Sequence, residues 1–295
     1  MQKEISYGAE KRNKHLQIFG EKYPVHETGI IGRSILGKDI NYYRLGCGKK
    51  HIVAVGAHRG TEYITSAALY GFVDFLSEKV TRGVVWNGIN LAFLLQRFTY
   101  WIIPCLNPDG VDMNLSGIEK TPLYERQLRM NGGDSDFSAW QANARGVDLS
   151  LNYSYRFFEN KRTEEQRGIQ AGRVGFSGEY PESEPETKSF ANLLRTIAPV
   201  ALVTLHLQGK EIFPNPENGY AARLSQRIAE SVGRGVLKEG NAERHDGASG
   251  YAGKVLGIPS LSLGVGRAEL SDSVSELTET YDSVRKALLF LPVQL

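Results

Sequence analysis

Apolar residues along this chain gather in short continuous runs bounded by polar turns, the pattern of strands buried on both faces, and these runs alternate with segments of helical period. The sharpest case is His51–Val55, followed by the polar turn Gly56-Ala57-His58-Arg59-Gly60-Thr61-Glu62 and then by Tyr63–Leu76, where Ile64, Ala68, Phe72 and Phe75 share a face. This predicts a central strand over Lys49–Val55, a tight turn, and a helix from Glu62 to about Val80. Such strand-to-helix corners are where open α/β sheets keep side chains with chemistry.

Before this corner, residues 4–22 carry a loose helical scatter of Ile5, Tyr7, Leu16 and Phe19, and Gly29–Leu36 with Asp39–Gly46 predicts a hairpin about Gly37-Lys38. After it, residues 85–98 read as a short helix, and Thr99–Cys105 reads as a second buried strand ending in the turn Asn107-Pro108-Asp109-Gly110. Residues 111–145 lack periodicity and predict a long surface excursion, which returns at Asn143–Leu149 and is followed by a polar loop over 159–182. Ser183-Glu184-Pro185-Glu186 predicts a helix start with Ser183 as N-cap and Glu186 reaching back to it, the helix running to about Ile197. Ala201–Leu205 is a third strand, which delivers His206 at its end; Tyr220–Val236 is a helix and Pro259–Val265 a fourth strand. Val274–Phe290 closes the chain as a helix, with Leu277, Tyr281, Val284, Leu288 and Leu291 on one face. Strands alternating with helices predict the α/β class: a three-layer α/β/α arrangement with a mixed, mostly parallel central sheet, in a single domain over 1–295.

Composition narrows the partners. The chain has 295 residues, 41% of them hydrophobic, enough for one large core. Its 35 Lys and Arg against 33 Asp and Glu give a net charge of +2 with no basic stripe, which argues against nucleic acid. Met1-Gln2-Lys3-Glu4-Ile5 is polar and no secretory or membrane-spanning run follows, so the expectation is a cytoplasmic protein with no membrane partner. Cys47 and Cys105 make neither a disulfide framework nor a thiolate metal site and read as inert buried thiols.

Glu62 and His206 each follow a buried strand, so both can enter one crevice at the C-terminal edge of the sheet. Carboxylate and imidazole are zinc ligands, and a third protein ligand with one open position would complete a catalytic site. His58 is the nearest candidate, but Gly56 and Gly60 make the turn non-helical, so spacing does not give its direction. Arg59 has no lone pair for a metal; it can bind a carboxylate or phosphate, or pair with Glu62 in the space of a metal. Asp109, Asp148 and Arg145 read as loop-tying residues.

The chain resembles the zinc carboxypeptidases of the M14 family, especially the branch similar to bacterial γ-D-glutamyl-diaminopimelate peptidases. The matching stretches are Gly-Ala-His-Arg-Gly-Thr-Glu-Tyr-Ile-Thr at 56–65, Asn-Pro-Asp-Gly-Val-Asp at 107–112, Asn-Ala-Arg-Gly-Val-Asp-Leu at 143–149, Ser-Glu-Pro-Glu-Thr at 183–187 and Leu-His-Leu-Gln-Gly-Lys-Glu-Ile-Phe at 205–213. Ala-Ser-Gly-Tyr at 248–251 is a weaker match. The resemblance implies a His-x-x-Glu zinc motif; alignment on Glu62 places Arg59 at the histidine, with His58 one place early, and His206 at the third ligand. It places Gly264 at the general base, a glutamate in the family, with Glu269 five residues on as a weak substitute. Ser150 and Leu151 stand where the family holds a substrate carboxylate, Gln141 where an arginine polarises the scissile carbonyl, and Asp246 where a tyrosine is expected, Tyr251 lying nearby.

Two readings follow. In the first, the protein is a catalytically impaired or repurposed peptidase fold, a pseudoenzyme with reduced or lost zinc affinity, binding a peptide, a cell-wall fragment or a protein, with Arg59, Arg145 and Lys210 available for a ligand carboxylate. In the second, it is an active zinc-dependent peptidase that hydrolyses a peptide or γ-D-glutamyl-diaminopimelate bond through His58, Glu62 and His206, with Glu269, Asp109 or Asp148 near the attacking water.

Overall fold

A computed structural model describes residues 8–23, 26–118, 121–207, 209–215, 219–236, 247–266 and 274–295. Its central sheet has seven strands: β1 (Glu27–Arg33), β2 (Asp39–Leu45), β3 (Lys50–Val55), β6 (Phe98–Ile103), β7 (Ala201–His206), β8 (Ile212–Asn215) and β9 (Ser260–Gly264). The order across the sheet is β1-β2-β6-β3-β7-β9-β8. The four central strands β6, β3, β7 and β9 are parallel, while β1, β2 and β8 add antiparallel edges. β7 is buried along its whole length and β3 over its last four residues, which is why both read as continuous apolar runs.

One face of the sheet is covered by the helices Tyr63–Thr81, Gly219–Val232 and Val274–Gln294, whose Leu69, Val73, Leu76, Leu224, Ile228, Leu288 and Leu291 pack against Ile52, Ala54, Val203 and Leu205. On the other, Phe190, Ala191 and Leu194 of the helix Pro185–Ile197 meet Val53, Val55 and Leu202, together with Tyr153 and Tyr251. The fold is therefore the three-layer α/β arrangement with a mostly parallel centre. Among the described residues no helix is long and apolar enough to cross a membrane.

Local chemistry explains where the structure departs from the periodicity. The turn Asn107-Pro108-Asp109-Gly110 is a helix start: Pro108 opens the helix Pro108–Ser116, and Asn107 caps it by accepting from Gly110 N–H at 2.9 Å. The excursion over 111–145 also holds the helix Tyr124–Met130, and the loop over 159–182 begins inside the helix Phe157–Arg167. Residues 85–98 form the hairpin of β4 (Val85–Trp86) and β5 (Ile89–Asn90) before the helix Leu91–Arg97. Ser183 does not cap the helix Pro185–Ile197; the N-cap is Glu184, and Ser183 instead donates to the Glu184 carboxylate at 3.0 Å. Cys105 is buried but Cys47 is exposed, which corrects the expectation of two buried thiols.

Candidate functional site

The parallel register sets the site. His206 ends β7 and lies directly across from Gly264 at the end of β9, while Val55 at the end of β3 is level with Thr204. The turn after β3 thus meets the ends of β7 and β9 at one sheet edge. Ala57 takes a left-handed backbone at φ 48°, an unusual conformation for a residue with a Cβ, held by its N–H to Thr65 Oγ1 at 2.7 Å. Gly60 is required by crowding: a Cβ there would stand 2.4 Å from the Gly110 carbonyl oxygen and 2.6 Å from that of Trp140. Asn107 braces the turn by donating from Nδ2 to the His58 carbonyl at 3.1 Å.

This backbone brings His58, Arg59, Glu62 and His206 together, all buried. His206 Nδ1 lies 3.3 Å from Glu62 Oε1, and because a carboxylate only accepts, a hydrogen bond between them needs the Nδ1–H tautomer. Glu62 Oε2 accepts the Arg59 backbone N–H at 3.2 Å. Burial would push the Glu62 carboxyl up, but His206, followed by Arg59 and His58, more than offsets it and holds the group well below the usual carboxylate range.

Arg59 does not pair with Glu62 through its side chain. Its Nε lies 3.2 Å from both oxygens of Asp148 and its Nη2 lies 3.2 Å from Oδ2. Asp148 also accepts Ser150 N–H at 3.1 Å. Burial works against the guanidinium charge, and the carboxylates of Asp148 and Glu62 outweigh it, so the pKa moves upward.

His58 is 1% exposed, with its ring centroid 6.0 Å from that of His206. Its Nε2 is hydrogen-bonded to the Tyr153 hydroxyl at 3.0 Å, and its Nδ1 has no hydrogen-bond partner among the described residues. Burial first, then the neighbouring His206, pushes the imidazolium pKa down to about 3, so His58 is neutral at ordinary pH. Nothing in the local sequence pointed to Tyr153, which reaches His58 from the return segment of the long excursion.

The other predicted site residues are spread out. Tyr251 lies against Tyr153 at 5.6 Å between ring centroids, but its hydroxyl is taken by Arg195 Nη1 at 2.5 Å. Arg145 is 49% exposed at its side chain and lies 3.8 Å from Glu184; Lys210 is 47% exposed and pairs with Glu279 at 2.7 Å. Arg59, Arg145 and Lys210 therefore serve three separate carboxylates and do not form one basic pocket. Asp109 accepts Leu36 N–H at 2.9 Å, a loop-tying role. Glu269, Gln208 and Asp246 lie outside the described residues. Gly264 offers only backbone: its N–H donates to the Glu211 carbonyl at 2.9 Å and its own carbonyl accepts from Arg234.

Carboxylate and imidazole suit zinc, but among the described residues only Glu62 and His206 meet, and the bare Nδ1 of His58 is not brought into one group with them. Among the described residues no three His, Cys, Asp or Glu side chains converge as a metal-holding group. Arg59, at the register position of the first ligand, has no lone pair to give. The described residues therefore do not fit the three-ligand metal of the resemblance.

The Zinc carboxypeptidase family model (Peptidase_M14) matches residues 13–252. A γ-D-glutamyl-L-diamino acid endopeptidase 1 from Lysinibacillus sphaericus is 28% identical over 198 residues, covering 66% of this chain and 49% of the relative. The uncharacterised protein YqgT of Bacillus subtilis is 27% identical over 218 residues, covering 72% of this chain and 57% of the relative. The chain thus spans about half the length of these relatives. The structure of bovine thrombin-activatable fibrinolysis inhibitor, solved with tick carboxypeptidase inhibitor, superposes with a TM-score of 0.75 at 18% identity over 98% of this chain and 96% of that one, a likeness of fold.

Proposed function

Because this chain belongs to the zinc carboxypeptidase family, peptidase M14, we propose that it uses the family's crevice to bind, without hydrolysing, a peptide or peptidoglycan-derived fragment. The observation that carries this reading is Gly264: at the position the resemblance gives to the general base, directly across from His206, the chain supplies no side chain. General acid–base catalysis contributes roughly 10²–10⁴-fold, and the ligand set is also one histidine short. The γ-D-glutamyl-L-diamino acid endopeptidase among its relatives suggests the ligand class, a γ-D-glutamyl-diamino acid peptide. Of the three cations considered for a ligand carboxylate, Arg59 is the one buried at the sheet edge, where Asp148 already holds it, whereas Arg145 and Lys210 sit in outlying ion pairs.

Calorimetric titration with a γ-D-glutamyl-diaminopimelate tripeptide, with product analysis of the same mixture, tests this. Saturable binding with intact peptide is the expected result, and turnover or a flat titration contradicts it. The bare Nδ1 of His58 favours the second reading, a rearranged zinc peptidase. Zinc-dependent cleavage abolished by His58→Ala would establish that reading in place of the first.

A further inference from the structure

Two carboxylates, Glu62 and Asp148, are almost completely buried at the sheet edge. Carboxylates buried in this way need a cation or a full set of hydrogen-bond donors. Both oxygens of Glu62 are already engaged, Oε1 by His206 Nδ1 at 3.3 Å and Oε2 by the Arg59 N–H at 3.2 Å. Both oxygens of Asp148 face the Arg59 guanidinium at 3.2 Å. The network is closed by groups that belong to the chain itself.

Arg59 is central to that closure. Its backbone serves one carboxylate and its side chain the other, and its charge is permanent. It also stands in the register that the resemblance gives to a zinc-binding histidine. A dication brought up to Glu62 and His206 would find no lone pair at the register of the first ligand, where Arg59 stands with its guanidinium already matched by Asp148. We propose that Arg59 replaces the metal: its guanidinium is the built-in cation of the crevice, and the site is assembled without zinc. This goes beyond the binding reading and does not depend on it, since it concerns how the crevice is held together and not what enters it.

The test uses the full chain. Purified protein is incubated with zinc chloride, passed over a desalting column and analysed for zinc by mass spectrometry, and its melting temperature is followed with added zinc and with EDTA. The expected result is a zinc content far below one ion per chain and a melting temperature that neither reagent moves. Arg59→His is expected to take up close to one zinc per chain and to melt higher with zinc, and the added His206→Ala is expected to remove both effects. A wild-type protein that retains one zinc, lost in His206→Ala, overturns the proposal, as does a folded Arg59→His that takes up none. The wild-type measurement decides the matter even where Arg59→His fails to fold. Peptide cleavage without retained zinc would remove the binding reading and leave this inference standing; retained zinc without cleavage would do the reverse.

Discussion

Gly264 and His206 are direct partners across the parallel ladder of β9 and β7, so the base position of the resemblance and its third ligand are adjacent in space although 58 residues separate them in the chain. Restoring a carboxylate there places another acid beside His206 and its partner Glu62. Gly264→Glu is expected to lower stability by ~2 kcal/mol, from like-charge repulsion in a buried site, and to leave hydrolysis of a γ-D-glutamyl-diaminopimelate peptide at background. Urea unfolding and product chromatography check the two halves. A hundredfold rise in cleavage would show that the base was the sole defect.

The Arg59–Asp148 pair is buried on both sides. Asp148→Leu leaves the guanidinium uncompensated and is expected to cost about 3–5 kcal/mol. Arg59→Met combined with Asp148→Leu removes both charges and should recover much of that loss. A double-mutant cycle by chemical denaturation measures the coupling, and strictly additive losses would contradict the pairing.

Tyr153→Phe removes the hydroxyl that engages His58 Nε2 and leaves both ring nitrogens of a buried imidazole without a partner among the described residues. The expected loss is about 1–3 kcal/mol. His58→Phe should reverse the sign of the Tyr153→Phe effect, since in that background the buried Tyr153 hydroxyl is itself the stranded group. Thermal melts of the two single variants and the double variant give the comparison.

Glu186 sets a pH dependence. It is fully buried; burial, reinforced by Asp109 and Glu184, pushes its carboxyl up to about 8 despite the Ile35 N–H that it accepts. A folded-state pKa above the unfolded 4.5 means that the folded protein holds the proton through the interval between them, so this contribution is complete below pH 4.5 and is lost as pH rises through 8. Glu186→Gln, neutral at every pH, is expected to flatten the fall in stability between those limits. Melting temperatures at pH 5 and pH 8 for both proteins provide the check, and parallel curves would contradict it.

Period and punctuation in the sequence determined the sheet. Apolar runs such as Ala201–Leu205 are continuous because both faces of a central strand are covered, and that need is local enough to read along the chain. The same logic put Glu62 and His206 at strand ends, and alignment on Glu62 put Arg59 in a ligand's register. The helices Pro108–Ser116, Tyr124–Met130 and Phe157–Arg167 leave little periodic trace because they are short and bury few apolar side chains, Gln127 in the second and Phe157 with Glu164 in the third being the buried residues.

The direction of each side chain was decided only in three dimensions. Ala57, in its left-handed conformation, precedes His58 in a turn with no helical or strand period to extrapolate, and the partner that His58 found, Tyr153, is 95 residues away. Arg59 turned to Asp148 and not to Glu62, because the long excursion returns Asp148 to the sheet edge. Residue types told which atoms can carry charge or accept a proton. Which of those charges are already neutralised is a matter of distance between segments remote in sequence, and only the tertiary fold sets that.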